Sequence, residues 1–343
     1  MTASLRRLRP RVITAAALSL CLLASLVTAI ALGAVPIAFG DILAALIGTP
    51  LDGFSGDIVR AIRLPRALLA AGVGAVLAVC GAYLQGMFRN PLADPSLIGV
   101  TAGASVGASA AIVLGGGVLG AVGDLSLVSL GAFAGGLVAV WLVYRVATGI
   151  NGTSVATMLL MGIAVTALAA SLTGLMDYFA DNESLRRMSL WRMGGLDGAT
   201  GARAVVMLAV LALLLISMMR VSRGLNTLLL GESQARHLGV DVERLKNLLI
   251  VLVALGVGVS VAVAGSIGFV GLVVPHMIRL CVGPDHRALV PLSALGGASL
   301  LLLADTFART IMAPTELPVG LVTALIGAPF FVFLLARHRE LIR

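Results

Sequence analysis

The sequence predicts an all-α, polytopic integral membrane protein with about ten transmembrane helices. Three observations carry that prediction. Of 343 residues, 59% are hydrophobic and only 12% are charged, roughly half the charged share of a soluble domain. The apolar residues gather in runs close to the roughly 20 residues that cross a hydrocarbon core about 30 Å thick. The charges sit in the gaps between those runs. This composition excludes an ordinary soluble enzyme and a disordered chain.

In chain order the spans fall near 12–34, 63–83, 97–115, 125–146, 154–177, 200–220, 247–266, 269–282, 288–308 and 318–336. Arg6, Arg7, Arg9 and Arg11 precede the first run, and Ala29-Ile30-Ala31 imitates a signal-peptide cleavage site. The run is longer than a signal core, so it is an uncleaved first helix with its N-terminus inside. In the third span Gly99, Gly103, Gly107, Ala111 and Gly115 recur every fourth residue, and Gly131 and Gly135 repeat the pattern in the fourth. Such small-residue stripes predict close backbone approach between helices in lipid. The eighth span is the weakest, being short and interrupted by Pro275. Ala78-Val79-Cys80-Gly81, with Pro91 ten residues on, is echoed by Ala262-Val263-Ala264-Gly265 with Pro275, a faint internal repeat of the kind carriers often contain.

An even number of spans returns the C-terminus to the inside, where Arg337, Arg339 and Arg343 lie. This topology puts sixteen basic residues inside and eight outside, in keeping with the positive-inside rule. The net charge of +8 therefore sets orientation, and no basic face for nucleic acid is predicted. All basic residues but Lys246 are arginine. Cys21, Cys80 and Cys281 lie within apolar stretches and are expected to be buried small hydrophobes, an odd number that forms no disulfide framework.

Several chemistries are missing from the sequence. A phosphate-cradling G-x-x-x-x-G-K-[ST] loop is excluded because Asn247 follows the only lysine. His237, His276, His286 and His338 are scattered without metal-ligand spacing, so neither a metal site nor a catalytic residue is predicted. An ion-coupled secondary transporter, the competing class, needs ionisable groups inside the membrane. Asp305 is the clear acidic candidate, four residues before Arg309, and an i,i+4 ion pair is its simpler role. A transporter with this sequence draws its energy from another subunit.

The longest inner loop, 221–246, is too polar to span. Within it Gly231 breaks an apolar run, Glu232–Leu238 predicts a short helix, and Gly239 its C-terminal stop. Such a helix either lies on the membrane surface or docks a partner.

The motifs, in order, are Arg63-Leu64-Pro65-Arg66, Gln85–Pro95 (QGMFRNPLADP), Leu97-Ile98-Gly99, Leu228–Gly239 (LLLGESQARHLG), Gly265–Arg279 (GSIGFVGLVVPHMIR), Asp285-His286-Arg287, Ala304-Asp305 with Arg309, and Leu317–Gly320 (LPVG). Together they resemble the FecCD-type permease subunits of type II ABC importers, which bring in iron–siderophores, haem and cobalamin. The resemblance implies one transmembrane permease domain over 1–343 in a bacterial inner membrane, both termini cytoplasmic. It implies a homodimer around a central pathway and two separate ATP-binding subunits inside, carrying ATP and Mg. A periplasmic substrate-binding protein is implied outside.

It also assigns residues. Gly231, Glu232, Ala235, Leu238 and Gly239 become the ATPase-coupling segment. Arg63, Arg66 and Arg309 become docking residues for carboxylates of the binding protein, a role suited to bidentate guanidinium pairing. Asn90 and Leu92 on one turn, with Thr153, Ser154 and Val155 on another, become the cytoplasmic gate, where Pro91 and Pro95 forbid continuous helix. Tyr178–Gly195 and Cys281–Gly320 look most like haem permeases, with a ferric siderophore or cobalamin as the alternative cargo.

Overall fold

The computed structural model describes residues 2–33, 37, 39–47, 55–115, 124–150 and 152–340. Helix α1 is Thr2–Ala31, α2 is Phe39–Leu46, and α3, Ser55–Asp57, leads through a π-helical turn, Ile58–Arg63, into α4, Leu64–Met87. A 3₁₀ turn, Pro95–Ile98, precedes α5, Val100–Gly115, and α6, Asp124–Ala147. A two-residue hairpin, β1 Thr148–Gly149 and β2 Gly152–Thr153, joins α6 to α7, Val155–Phe179. Then come α8 Asn182–Met193, α9 Gly201–Leu228, α10 Glu232–His237, α11 Val242–Ala264, α12 Val270–Val282, α13 His286–Thr310 and α14 Val319–Glu340.

All ten expected spans are helices: α1, α4 to α7, α9 and α11 to α14. Among the described residues seven are long and apolar enough to cross a bilayer, and Val100–Gly115, Val270–Val282 and Val319–Leu334 are shorter apolar helices. Helix α4 is the hub. It is buried from Val73 to Met87 and packs on α9, α11, α12 and α13. Its Tyr83 hydroxyl donates to the Leu214 carbonyl at 2.7 Å.

Glycine makes these contacts possible. A Cβ added at Gly74 would overlap the Gly297 carbonyl oxygen, and one at Gly81 the Gly271 carbonyl oxygen. Gly103 and Gly107 meet Gly135 and Gly131 in the same way, so the small-residue stripe of the third span is the α5–α6 packing seam. Pro275 does not interrupt α12, which runs unbroken from Val270 to Val282. Proline lacks the N–H that would bond the carbonyl of residue i−4, here Gly271. That carbonyl turns instead against the backbone of Gly81. Gly81→Val should therefore separate α4 from α12, at a cost of about 1–3 kcal/mol or more for overpacking. The measurement is the thermal unfolding midpoint in detergent, with Gly40→Ala, where an added Cβ meets nothing, as the neutral control.

Three expectations need correction. Cys80 is buried, but Cys21 and Cys281 lie exposed on the bundle surface. An apolar stretch faces lipid as readily as protein, so apolarity alone did not fix their burial. The polar loop shrinks from 221–246 to the residues around α10, because α9 continues to Leu228 and α11 starts at Val242. Val221, Ser222, Leu225 and Leu228 keep a buried face through that stretch, which its exposed arginines obscured. Finally, Gly81 lies inside α4 whereas Gly265 caps α11 at φ +65. The two halves of the faint repeat thus have different conformations.

Candidate functional site

The polar groups gather at the two ends of the bundle. One end holds α10, the C-terminal ends of α4, α6, α9 and α12, and the N-terminal ends of α1, α7, α11 and α13. Helix α10 is the predicted short helix, set off by Gly231 at φ +110 and Gly239 at φ +82. Both angles lie in the region that favours glycine. Ala235 is fully buried and packs with Leu228 and Val242. Of the five expected coupling residues it therefore anchors the helix and does not face outward: on a six-residue helix one face must bury to hold it down. Leu238, by contrast, is 64% exposed, and an added Cβ at Gly239 would meet nothing.

Glu232 points inward along the base of α10. The Lys246 ammonium, only 2% exposed, meets Glu232 Oε1 at 2.8 Å. It also donates to the Thr153 carbonyl at 2.9 Å and lies 3.5 Å from Glu243 Oε1. Glu243 Oε2 accepts from the Thr153 N–H at 2.8 Å. Arg236 stands 3.6 Å from Glu243 and 3.8 Å from Glu232, so two carboxylates face two cations. Sequence reasoning missed Lys246 and Glu243. The available signal was a lone lysine in an arginine-rich chain, three residues after a glutamate at a helix start.

The expected gate residues lie on two turns at this end. Asn90 Oδ1 accepts from the Leu92 N–H at 2.9 Å, a local turn beyond α4. Thr153 is buried, and its hydroxyl lies 3.0 Å from that of Thr148 across the hairpin. Ser154 caps α7 by accepting from the Thr157 N–H at 3.3 Å, and Val155 opens that helix. Both turns border the α10 segment: Arg89 Nη1 lies over Gly231, 3.7 Å from where a Cβ would stand, and Lys246 joins Thr153 to Glu232. Close by, Asp285 caps α13, accepts from Asn226 at 2.7 Å and pairs with Arg11 at 3.1 Å. Partial burial opposes its charge, but the Asn226 and Arg287 N–H groups and Arg11 outweigh that and hold the carboxyl below its usual range.

The opposite end carries the three expected docking arginines, two of which, Arg66 and Arg309, pair with Asp305. Arg66 grips the Asp305 carboxylate through Nη2 at 2.8 Å and Nε at 3.1 Å, and reaches Glu316 at 2.8 Å. Arg309 lies 3.3 Å from Asp305, the expected i,i+4 pair, and also bonds the Ala29 carbonyl. Arg63 donates to the Ile30 and Ala31 carbonyls at 2.7 and 2.8 Å, satisfying the open C-terminal end of α1. Arg63 and Arg309 are 4% and 8% exposed, so both are committed to holding helix ends together. Helix α8 also lies at this end. Asp181 caps it, accepting from the Ser184 N–H at 2.9 Å, a bond that lowers the carboxyl's pKa. Arg192 Nη1 pairs with Asp177 at 2.8 Å.

Between the ends, two breaks in the long helices face a cavity of ≈ 340 Å³, lined by Asp94, Ser96 and Thr101 from the 3₁₀ turn and the start of α5, and by Ser266, Gly268 and Phe269 from the non-helical link between α11 and α12. Irregular backbone at membrane depth is tolerated where it lines a cavity or is covered by protein. Among the described residues no three His, Cys, Asp or Glu side chains come together to hold a metal ion.

The model of the FecCD transport family matches residues 20–337. The chain belongs to the FecCD transport family. This FecCD chain is 46% identical over 281 residues to the hemin transport system permease protein HmuU of Yersinia pestis, covering 81% of the chain and 83% of the relative. It is 48% identical over 287 residues to the cobalamin import system permease protein BtuC of Halobacterium salinarum, covering 82% and 74%. Its fold matches a metal-chelate type ABC transporter solved in an inward-facing conformation, with a TM-score of 0.82 and 33% identity over 94% of this chain and 98% of that one. Every residue discussed at the two ends of this FecCD transport protein, apart from Arg11, falls within the matched region.

Proposed function

We propose that this FecCD chain is the permease subunit of an ATP-driven importer that carries haem, or a related iron chelate, from periplasm to cytoplasm. The observation that carries the reading is α10: a short helix pinned by a buried ion pair, with Leu238 and Gly239 left outward, in a chain that has no phosphate loop. A rigid, partly apolar knob at a polar end fits a docking element for an engine built elsewhere. Two ATP-binding subunits, which hold ATP and Mg, grip that end, and it is cytoplasmic together with both termini. Two copies of the chain flank the pathway in the bacterial inner membrane. The gate is the pair of turns at Asn90–Leu92 and Thr153–Val155. A periplasmic binding protein docks at the opposite end, where the 42%-exposed Glu316 is the reachable charge and Arg66, 12% exposed, lies paired behind it, while Arg63 and Arg309 brace the helices beneath.

The 46% identity to a hemin permease supports haem as cargo. The similar identities to cobalamin permeases favour cobalamin as the second reading. Reconstitution in proteoliposomes with the cognate ATPase and binding protein tests the proposal. ATP-dependent uptake of haem is expected. Uptake of cobalamin alone would move the assignment to the second reading, and uphill uptake by the chain alone from an ion gradient would overturn it.

A further inference from the structure

We infer that Lys246 is a positioning residue that carries displacement of α10 to the inner gate. The inference rests on the docking role proposed for α10 and extends it to a residue that role does not include. An ammonium has three donors, and from α11 Lys246 reaches two other elements, Glu232 of α10 and the Thr153 carbonyl of the hairpin before α7, besides Glu243 at 3.5 Å on its own helix. A lysine that only neutralised a carboxylate would not need the Thr153 carbonyl.

The hairpin is held at both polar groups of Thr153, its C=O by Lys246 and its N–H by Glu243. Gly152 leaves the space for this grip. Its φ is +92, and a Cβ there would stand 2.5 Å from the Glu243 carboxylate. Ser154, the next residue, caps α7, so whatever moves Thr153 moves the start of α7. Charge-assisted hydrogen bonds are about twice as strong as neutral ones, and only 2% of Lys246 is exposed, so the ammonium itself has little water to turn to. A shift of α10 therefore drags Glu232, Lys246 and the Thr153–Val155 turn as one body.

Hydrogen exchange on the permease–ATPase complex, with and without ATP, reads this directly and needs no cargo. In the native complex the ATPase should protect 231–239, and ATP should change exchange over 148–157. Lys246→Met should keep the first effect and reduce the second about tenfold, a coupling loss of about 1.4 kcal/mol. Lys246→Arg should restore the response. If Lys246→Met does not fold, Glu243→Leu, which frees the Thr153 N–H but leaves the Lys246–Glu232 pair, should weaken the same response.

A lysine that served structure alone would raise exchange equally with and without ATP. An undiminished ATP-dependent difference in the variants would overturn the inference, as would a native complex that shows no such difference. Missing ATPase protection of 231–239 in the native complex would overturn the docking role itself, and the inference with it.

Discussion

Asp305→Ala is expected to destabilise the folded chain by about 3–5 kcal/mol, the usual cost of removing one partner from a buried ion pair. Asp305 is 1% exposed and faces Arg66 and Arg309. Without it two guanidiniums remain in a poorly hydrated site, with Arg63 close by. Arg66 keeps Glu316, whereas Arg309 loses its carboxylate ion pair and keeps the Ala29 carbonyl on α1. Because these arginines tie α1 and α4 to α13, the loss should appear as a lower thermal unfolding midpoint in detergent and as faster proteolysis near Ala31. Glu316→Gln, at a partly exposed acid, should change stability by only about 0–1 kcal/mol. Equal effects from the two substitutions would contradict the network described above. The same geometry shapes any test of binding-protein docking. Arg63→Glu would both uncap α1 and bury a carboxylate, so a loss of capture in that variant would report on folding, whereas Arg66→Gln leaves the α1 caps in place.

Leu238→Glu is expected to weaken association with the ATP-binding subunit about 30-fold or more, the effect of losing an interface hot spot worth about 2 kcal/mol. Leu238 is 64% exposed at the C-terminal end of α10. This apolar side chain is held outward on a braced helix and is left largely uncovered by the described residues. The measurement is co-purification of the two proteins, or the dissociation constant in detergent. Unchanged thermal stability of the isolated variant would separate a docking defect from a folding one. Glu232→Arg would be a poorer probe, because it sets a third cation beside Arg236 and the buried Lys246 and disrupts the end of the bundle directly. Gly239→Trp adds backbone strain at φ +82. Full-strength association of Leu238→Glu would remove α10 from the interface.

The sequence was most informative where the physics is local and one-dimensional. Hydrocarbon thickness fixes the length of an apolar run, so all ten spans were legible, although their ends moved by several residues at α9 and α11. A glycine on either side of a seven-residue, mostly polar stretch was enough to define α10, which ends one residue earlier than expected. The i,i+4 relation of Asp305 and Arg309 follows from helix geometry alone. The extra helices α2 and α8 were not legible, since a search for span-length apolar runs passes over short helices. The α10 stretch was legible as a short helix, but the inward turn of Ala235 was not, because a six-residue helix carries too little periodicity to reveal its buried face.

By itself, then, the sequence determined the solvent this protein lives in, the ten apolar helices of its bundle, the places where its helices approach closely, and the absence of a phosphate loop. Tertiary structure decided which charged groups meet. Arg66 and Asp305 are 239 residues apart, and Lys246 and Thr153 are 93 apart. Pairings across such separations are selected by how whole helices pack, through glycine contacts such as Gly81 on Gly271 and Gly74 on Gly297. A local pattern cannot encode them, because in lipid the apolar faces that could reveal the neighbours look alike whether they meet protein or hydrocarbon.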